Sequence, residues 1–235
     1  MLLVGLLVYL VFAFVRFNKS DGGKECDNLI ITIADSDKAD FVSKNDILQI
    51  LNSRDLNPVG KNLKNIRLGS IKKAVDDHQF VLNSVCYTTP GGEVVIEVSQ
   101  KLPVMRVMPD VGEEYYVDAA ANRIPHAQYP ADVIVVTGSV DYKRDKATLA
   151  SFCELVNNDG FWSDMIEQIN FTRNGCVELT PRLGNHVVEL GKPDNLGVKL
   201  AHLRLLYEKV LNTVGWNKYS RISLKYNNQA VCTKY

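Results

Sequence analysis

Four histidines and five cysteines are the side chains of this chain best able to hold a metal or attack a substrate, and their spacing argues against both roles. His78, His126, His186 and His202 share no ligand spacing with one another or with a cysteine, so each reads as a surface or core histidine. Cys26, Cys86, Cys153, Cys176 and Cys232 lie far apart, contain no C-x-x-C pair and are odd in number. Neither a zinc site nor a disulfide framework is indicated, and they read as small buried hydrophobes. Asp35-Ser36-Asp37 resembles a calcium-loop fragment but lacks the glycine and closing glutamate such a loop needs, and reads as a strand-end turn. The sequence holds no glycine-rich phosphate loop, nucleophile elbow or H-E-x-x-H helix. The expectation is a protein without catalytic activity and without a cofactor. The 27 basic and 27 acidic residues cancel, so no global field favours nucleic acid or anionic lipid.

The C-terminus offers a different chemistry, that of unpaired peptide groups. Tyr219–Tyr226 and Gln229–Lys234 read as strands, and Asn227-Asn228 tolerates the positive φ of a two-residue hairpin turn. The last strand reads as a sheet edge, which exposes N–H and C=O groups unless it is blunted or covered. Two readings stand. Lys225 and Lys234 protect the edge, or the edge is left open for a partner to extend the sheet. On the second reading the partner site comprises Lys225, Tyr226, Asn228, Gln229, Ala230, Val231, Cys232 and Thr233. Tyr226 is its anchor, because an aromatic ring with a hydroxyl supplies both contact area and a hydrogen bond.

The elements that must carry this edge follow from the apolar pattern. Asn28–Ile33 is β-rich and reads as a strand. Ser43-Lys-Asn-Asp46 is a capping-box-like start ahead of Ile47, Leu48, Ile50 and Leu51. A second helix fits Gly69 to Asp77, and Phe80–Thr88 and Glu93–Gln100 flank a Thr-Pro-Gly-Gly turn as a hairpin. Residues 28–102 therefore form a β-α-α-β-β domain. Lys101-Leu102-Pro103 marks a boundary, and 103–235 forms a second domain, giving an α+β chain overall. In it Val104–Met108, Tyr115–Asp118, Val133–Thr137, Ile166–Arg173, Cys176–Thr180 and His186–Leu190 read as strands. Ala147–Val156 and Leu196–Val214 read as its two helices. The expected arrangement is a mostly antiparallel meander.

Met1–Val15 is apolar on every face and stops at Arg16. A spanning helix needs about 20 apolar residues, and Phe17 extends this one if Arg16 snorkels to the headgroups. A signal peptide would show a basic leader and small residues before the cut, and Val11-Phe12-Ala13 is a poor cleavage site. The reading carried forward is a single membrane anchor over 1–17 and a polar tether over 18–27. Arg16, Lys19 and Lys24 all follow the segment, so the positive-inside rule taken literally puts the bulk of the chain in the cytoplasm.

This layout resembles the bacterial FtsQ/DivIB family. Glu97-Val-Ser-Gln-Lys-Leu-Pro-Val104 resembles its "E-x-x-P-V" domain junction, and Tyr116-Val117-Asp118 with Asn122-Arg123-Ile124-Pro125 resembles its "V-D-x-x-G-x-x-I/F" hairpin. Val133–Gly138 is similar to its "L-P-x-x-x-G" stretch, Val187–Gly191 to its "V-x-L-G" strand end, and Ile222-Ser-Leu-Lys-Tyr226 to its "I-D-L-R-Y" strand. The resemblance runs over 1–235. It implies a POTRA-type first domain and a non-enzymatic divisome scaffold, held by one span in the cytoplasmic (inner) membrane with its bulk outside the cytoplasm. It further implies that the C-terminal edge strand pairs with FtsB, which travels with FtsL. Lys199, on the exposed face of the late helix, is implied as a basic contact to FtsB. A POTRA-containing factor for outer-membrane assembly or secretion is the alternative.

Overall fold

The computed structural model describes residues 23–125, 131–226 and 229–235. They fall into two units: the described chain up to Ala34 with Val42–Ser99, and Asp35–Phe41 with Gln100–Tyr235.

The first unit runs β1 (Asn28–Ile33), α1 (Lys44–Ser53), α2 (Leu68–Asp76), β2 (Val81–Thr88) and β3 (Glu93–Gln100), in the β-α-α-β-β order expected. α1 begins where its residues dictate. The Asp46 amide donates to Ser43 Oγ at 3.2 Å, and the Ser43 amide donates to the Asp46 carboxylate at 2.8 Å. This reciprocal pairing satisfies two otherwise unpaired donors of the first turn. The bonds from Ser43 hold the Asp46 carboxyl below its usual range. Ser43→Ala is expected to cost about 1 kcal/mol, read as a lower urea midpoint with an unchanged m-value. The sheet order is β1-β3-β2 with β1 and β3 parallel, so Leu29, Ile31 and Ile33 pair with Val94, Ile96 and Val98. Ile31 and all three β3 partners are buried, together with Ile47, Leu51, Ile71, Ala74 and Val75 of the helices.

Lys24–Asp27, read from composition as the end of a tether, belongs to this packed unit. The buried Cys26 donates its N–H to the Lys61 carbonyl and accepts from the Gly60 amide, each at 2.9 Å. The Leu63 amide donates to the Lys24 carbonyl at 2.9 Å. The anchor expected over 1–17 and the first part of the tether lie outside the described residues. Among the described residues no helix is long and apolar enough to cross a membrane.

The second unit is a nine-stranded sheet of order β12-β11-β10-β9-β8-β7-β4-β5-β6. Its strands are β4 (Met105–Pro109), β5 (Tyr115–Val117), β6 (Arg123–Pro125), β7 (Ile134–Gly138), β8 (Ile166–Phe171), β9 (Val177–Pro181), β10 (Val187–Gly191), β11 (Tyr219–Ser223) and β12 (Val231–Lys234). The expected meander is corrected here, while antiparallel pairs predominate as expected. Pairs β4–β7, β7–β8 and β10–β11 are parallel, and the other five neighbouring pairs are antiparallel. Parallel neighbours require a crossover, usually a helix. α3 (Tyr142–Asn158) supplies it between β7 and β8, and α5 (Leu196–Leu206) between β10 and β11. Both crossovers step the same way along the sheet, so the right-handed rule puts both helices on one face. Their buried residues share one core with the sheet: Leu149, Phe152 and Cys153 of α3, Leu200 and Leu203 of α5, and Val136, Ile169, Leu179, Val188 and Ile222 of the strands.

Two helical details escaped the periodicity. α3 starts at Tyr142, before the expected Ala147, because Asp141 caps it by accepting from the Arg144 amide at 2.9 Å. A short helix, α4 (Gly160–Met165), follows; Asp159 ends α3 and its carboxylate accepts from the Phe161 amide at 3.0 Å to start α4. The long helical pattern from Leu196 to Val214 is helical throughout, with a π turn at Tyr207–Leu211.

Candidate partner-binding site

The two edges of the large sheet differ. β6 is a three-residue strand ending in Pro125, with the Arg123 guanidinium 4.4 Å from the Tyr115 ring centroid. Proline and charged side chains, lysine above all, blunt an edge. β12 carries no proline, and Val231 on it is 46 % exposed. Its inner side pairs with β11 through Arg221↔Thr233, Ile222↔Cys232 and Ser223↔Val231. The outer side of β12 has no neighbouring strand among the described residues.

The hairpin is wider than the expected two-residue turn. β11 ends at Ser223 and β12 begins at Val231, and a turn confined to residues 227 and 228 would pair Ser223 with Cys232 rather than Val231. Tyr226, Gln229 and Ala230 therefore precede or follow the ladder instead of lying in it, and all three are exposed. Asn228 lies outside the described residues. Cys232 turns inward onto the core, while Thr233 is exposed beside Val231. All five cysteines are free, but only Cys26 and Cys153 are fully buried.

Tyr226 is 55 % exposed, and the Lys225 ammonium sits 5.8 Å from its ring centroid. Lys225 Nζ donates to the Glu189 carboxylate at 3.0 Å, which holds the Glu189 carboxyl below its usual range and pushes the lysine up. Lys225 thus spends its charge on its own sheet. Beside Tyr226 opens a cleft of about 310 Å³, lined by Asn195, Val198, Lys199, His202, Leu224, Tyr226 and Gln229. The fold brings three of the expected site residues together here: Lys199, Tyr226 and Gln229. Composition and position had not singled out Val198 and His202. Val198, 56 % exposed, and Leu205 fall off the Leu196, Leu200, Leu203 core stripe, and that mismatch was the available signal.

Lys199 corrects an expectation. It is 7 % exposed, not on an open face of the helix. Its ammonium donates to the Lys192 carbonyl at 2.8 Å and to the Asp194 carboxylate, fastening the loop that leads into α5. This ion pair pulls the Asp194 carboxyl below its usual range. Only the lysine stem is left to line the cleft, with its charge already committed. Lys199→Ala is expected to lower stability by about 1–2 kcal/mol, as a buried charged hydrogen bond is lost and one partner is solvated. A urea melt reads it; the salt dependence of partner binding should stay as in the parent.

A larger cleft of about 550 Å³ opens between α3 and α5, lined by Leu155, Trp162, Leu200 and Arg204 among others. It contains no expected site residue, and two of its charged groups, Arg204 and Asp159, pair with each other at 2.8 Å. Among the described residues no group of three His, Cys, Asp or Glu is placed to hold a metal ion.

An edge strand beside a half-apolar cleft, on a sheet backed by two crossover helices, gives the second unit an α+β build. The chain belongs to the FtsQ/DivIB family: residues 102–233 match the model described as FtsQ/DivIB, C-terminal related. Residues 24–99 match the POTRA-like domain. No curated protein matches the chain. FtsQ/DivIB and POTRA domains are scaffold types rather than catalysts, and the two matches together support a scaffold role in the division machinery.

Proposed function

We propose that this chain is a membrane-anchored, non-enzymatic scaffold of the bacterial divisome that holds FtsB, and through it FtsL, on its C-terminal edge strand during septum formation. The supporting observation is the proline-free outer edge of β12 beside the Val198–Tyr226 cleft. Main-chain bonds along β12 give affinity, and the cleft accepts a side chain of the added segment. The anchor sits in residues 1–17, in the inner membrane, and the two described units work outside the cytoplasm at the septum. The rival reading, a factor for outer-membrane assembly or secretion, rests on the POTRA-like domain alone. The FtsQ/DivIB match over 102–233 favours the divisome.

Depletion in a bacterium that carries this chain should give long, undivided filaments with outer-membrane proteins intact. Normal division with loss of outer-membrane proteins would reverse the assignment. Capture of the FtsB segment that lies outside the cytoplasm tests the partner directly.

A further inference from the structure

We propose that His186 is an acid-sensitive latch on the partner strand: its neutral ring completes a buried cluster that fixes the far end of β12, and protonation frees that end and weakens partner binding. This rests on the sheet-extension reading above.

His186 is 1 % exposed and carries a titratable ring in an aromatic pocket. Its Nε2 lies 3.0 Å from the Tyr207 hydroxyl, where the π turn begins. The ring meets Tyr207 edge-on, with centroids 5.5 Å apart, and stacks on Trp216 at 6.5 Å. Tyr207 and Trp216 close the third side at 4.9 Å. Nδ1 faces the Trp216 carbonyl without closing a hydrogen bond. The backbone of Gly184 lies against the same nitrogen; a Cβ there would meet Nδ1 at 2.9 Å and the Trp216 oxygen at 3.0 Å.

The groups facing the ring are thus the Tyr207 hydroxyl on the helix, the Trp216 indole and carbonyl on the following loop, and the Gly184 backbone on the loop before β10. None is a carboxylate or a cation, and no charged group among the described residues contributes to the ring's shift. Burial therefore pushes the imidazole below its ordinary value, offset only in part by the Trp216 carbonyl and by no anion. The sign follows. The unfolded chain takes up a proton near pH 6.5, whereas the closed cluster resists it. Stability is complete above that pH and declines as pH falls below it.

What makes the cluster more than a stability element is its link to β12. Asn185, next to His186, donates its amide to Asn217 Oδ1 at 3.1 Å, and Asn217 is next to Trp216. The Asn185 carbonyl accepts the Tyr235 hydroxyl at 2.7 Å, immediately after β12. The stacked pair His186–Trp216 and the bonded pair Asn185–Asn217 thus form one block, and Tyr235 ties the partner strand to it. Besides this tie, the end of the four-residue β12 is held by the pairing of Lys234 with Tyr219 and by the Ser220 hydroxyl, which donates to the Thr233 and Lys234 carbonyls at 3.3 and 3.4 Å. A charged ring cannot stay in the pocket without solvation. Opening the pocket displaces Asn185 and loses the Tyr235 tie.

The test uses the full chain carrying Trp162→Phe, which leaves Trp216 as the reporter, with the FtsB segment as probe. From pH 7.5 to 5.5 the affinity should fall several-fold, with Trp216 emission changing over the same interval. His186→Gln should flatten both curves. Tyr235→Phe, at an exposed side chain, should weaken binding several-fold at pH 7.5 and shrink the remaining pH dependence. An undiminished pH dependence in His186→Gln, or a Tyr235→Phe variant that binds like the parent at both pH values, overturns the latch. Tyr226→Ala at pH 7.5 serves as the separate control. If it binds like the parent, the partner site itself is misplaced, and the latch falls with it; if it loses binding, any failure belongs to His186 alone.

Discussion

Gly138→Ala is expected to disrupt the centre of the large sheet and lower its melting temperature by roughly 10 °C. Gly138 ends β7, between β4 and β8, with φ +90. A Cβ there would lie 2.2 Å from the Phe171 carbonyl oxygen and 2.6 Å from Asn170 Oδ1. The carbonyl cannot retreat, since the Ser139 amide donates to it at 2.7 Å and Phe171 is held in register opposite Gly138. A left-handed residue with a side chain costs about 1–2 kcal/mol, and forcing apart a packed site adds about 1–3. Their sum is a large share of the roughly 5–15 kcal/mol that a domain has in total. Gly175→Ala separates the two causes. Gly175 has φ +71, but nothing lies within 4 Å of its Cβ position, so it carries the backbone cost alone. Comparable melting losses in both variants would show that the clash at Gly138 relaxes freely.

How much of this was legible depends on the range of the interaction. Local signals were strong. Ser43 and Asp46 announced α1, and alternation along β3 announced its buried face; both arise from neighbours within a few residues. The sheet order was not legible, because parallel pairing of β7 with β8 and of β10 with β11 depends on where the chain returns after a helix. The same blindness explains Lys199. A lysine on a helix pattern reads as solvated, and only the loop at Lys192 and Asp194, placed by the fold, turns its charge inward. The edge expected of the last strand is where the sheet order puts it, at β12. The second wall of the cleft was not legible, since Val198 and His202 come from a helix more than 20 residues upstream of Tyr226. The family resemblance rested on the order of weak motifs, and the FtsQ/DivIB match over 102–233 bears out the family.

Val231→Pro is expected to abolish FtsB capture while leaving the fold nearly intact, and Tyr226→Ala to weaken capture by about 30-fold. Sheet extension draws its affinity from main-chain hydrogen bonds, so the strand's competence matters more than any single side chain. Val231 opens β12 opposite Ser223. Proline removes its N–H and fixes φ near −65°. If that N–H faces β11, the ladder frays at its first pair; if it faces outward, the incoming segment loses a partner. Both outcomes act at the docking edge, and Val231 is too exposed for its loss to empty the core. Tyr226 acts differently, by supplying a wall of the cleft beside Val198 and Gln229. An anchor of this kind contributes on the order of 2 kcal/mol, which is the roughly 30-fold loss expected. Its 55 % exposure argues against a structural role, so the variant should melt within a degree or two of the parent. Each variant is therefore read twice, by FtsB capture and by thermal melt. Retained folding with lost capture supports the edge; capture that survives both substitutions removes β12 as the docking strand.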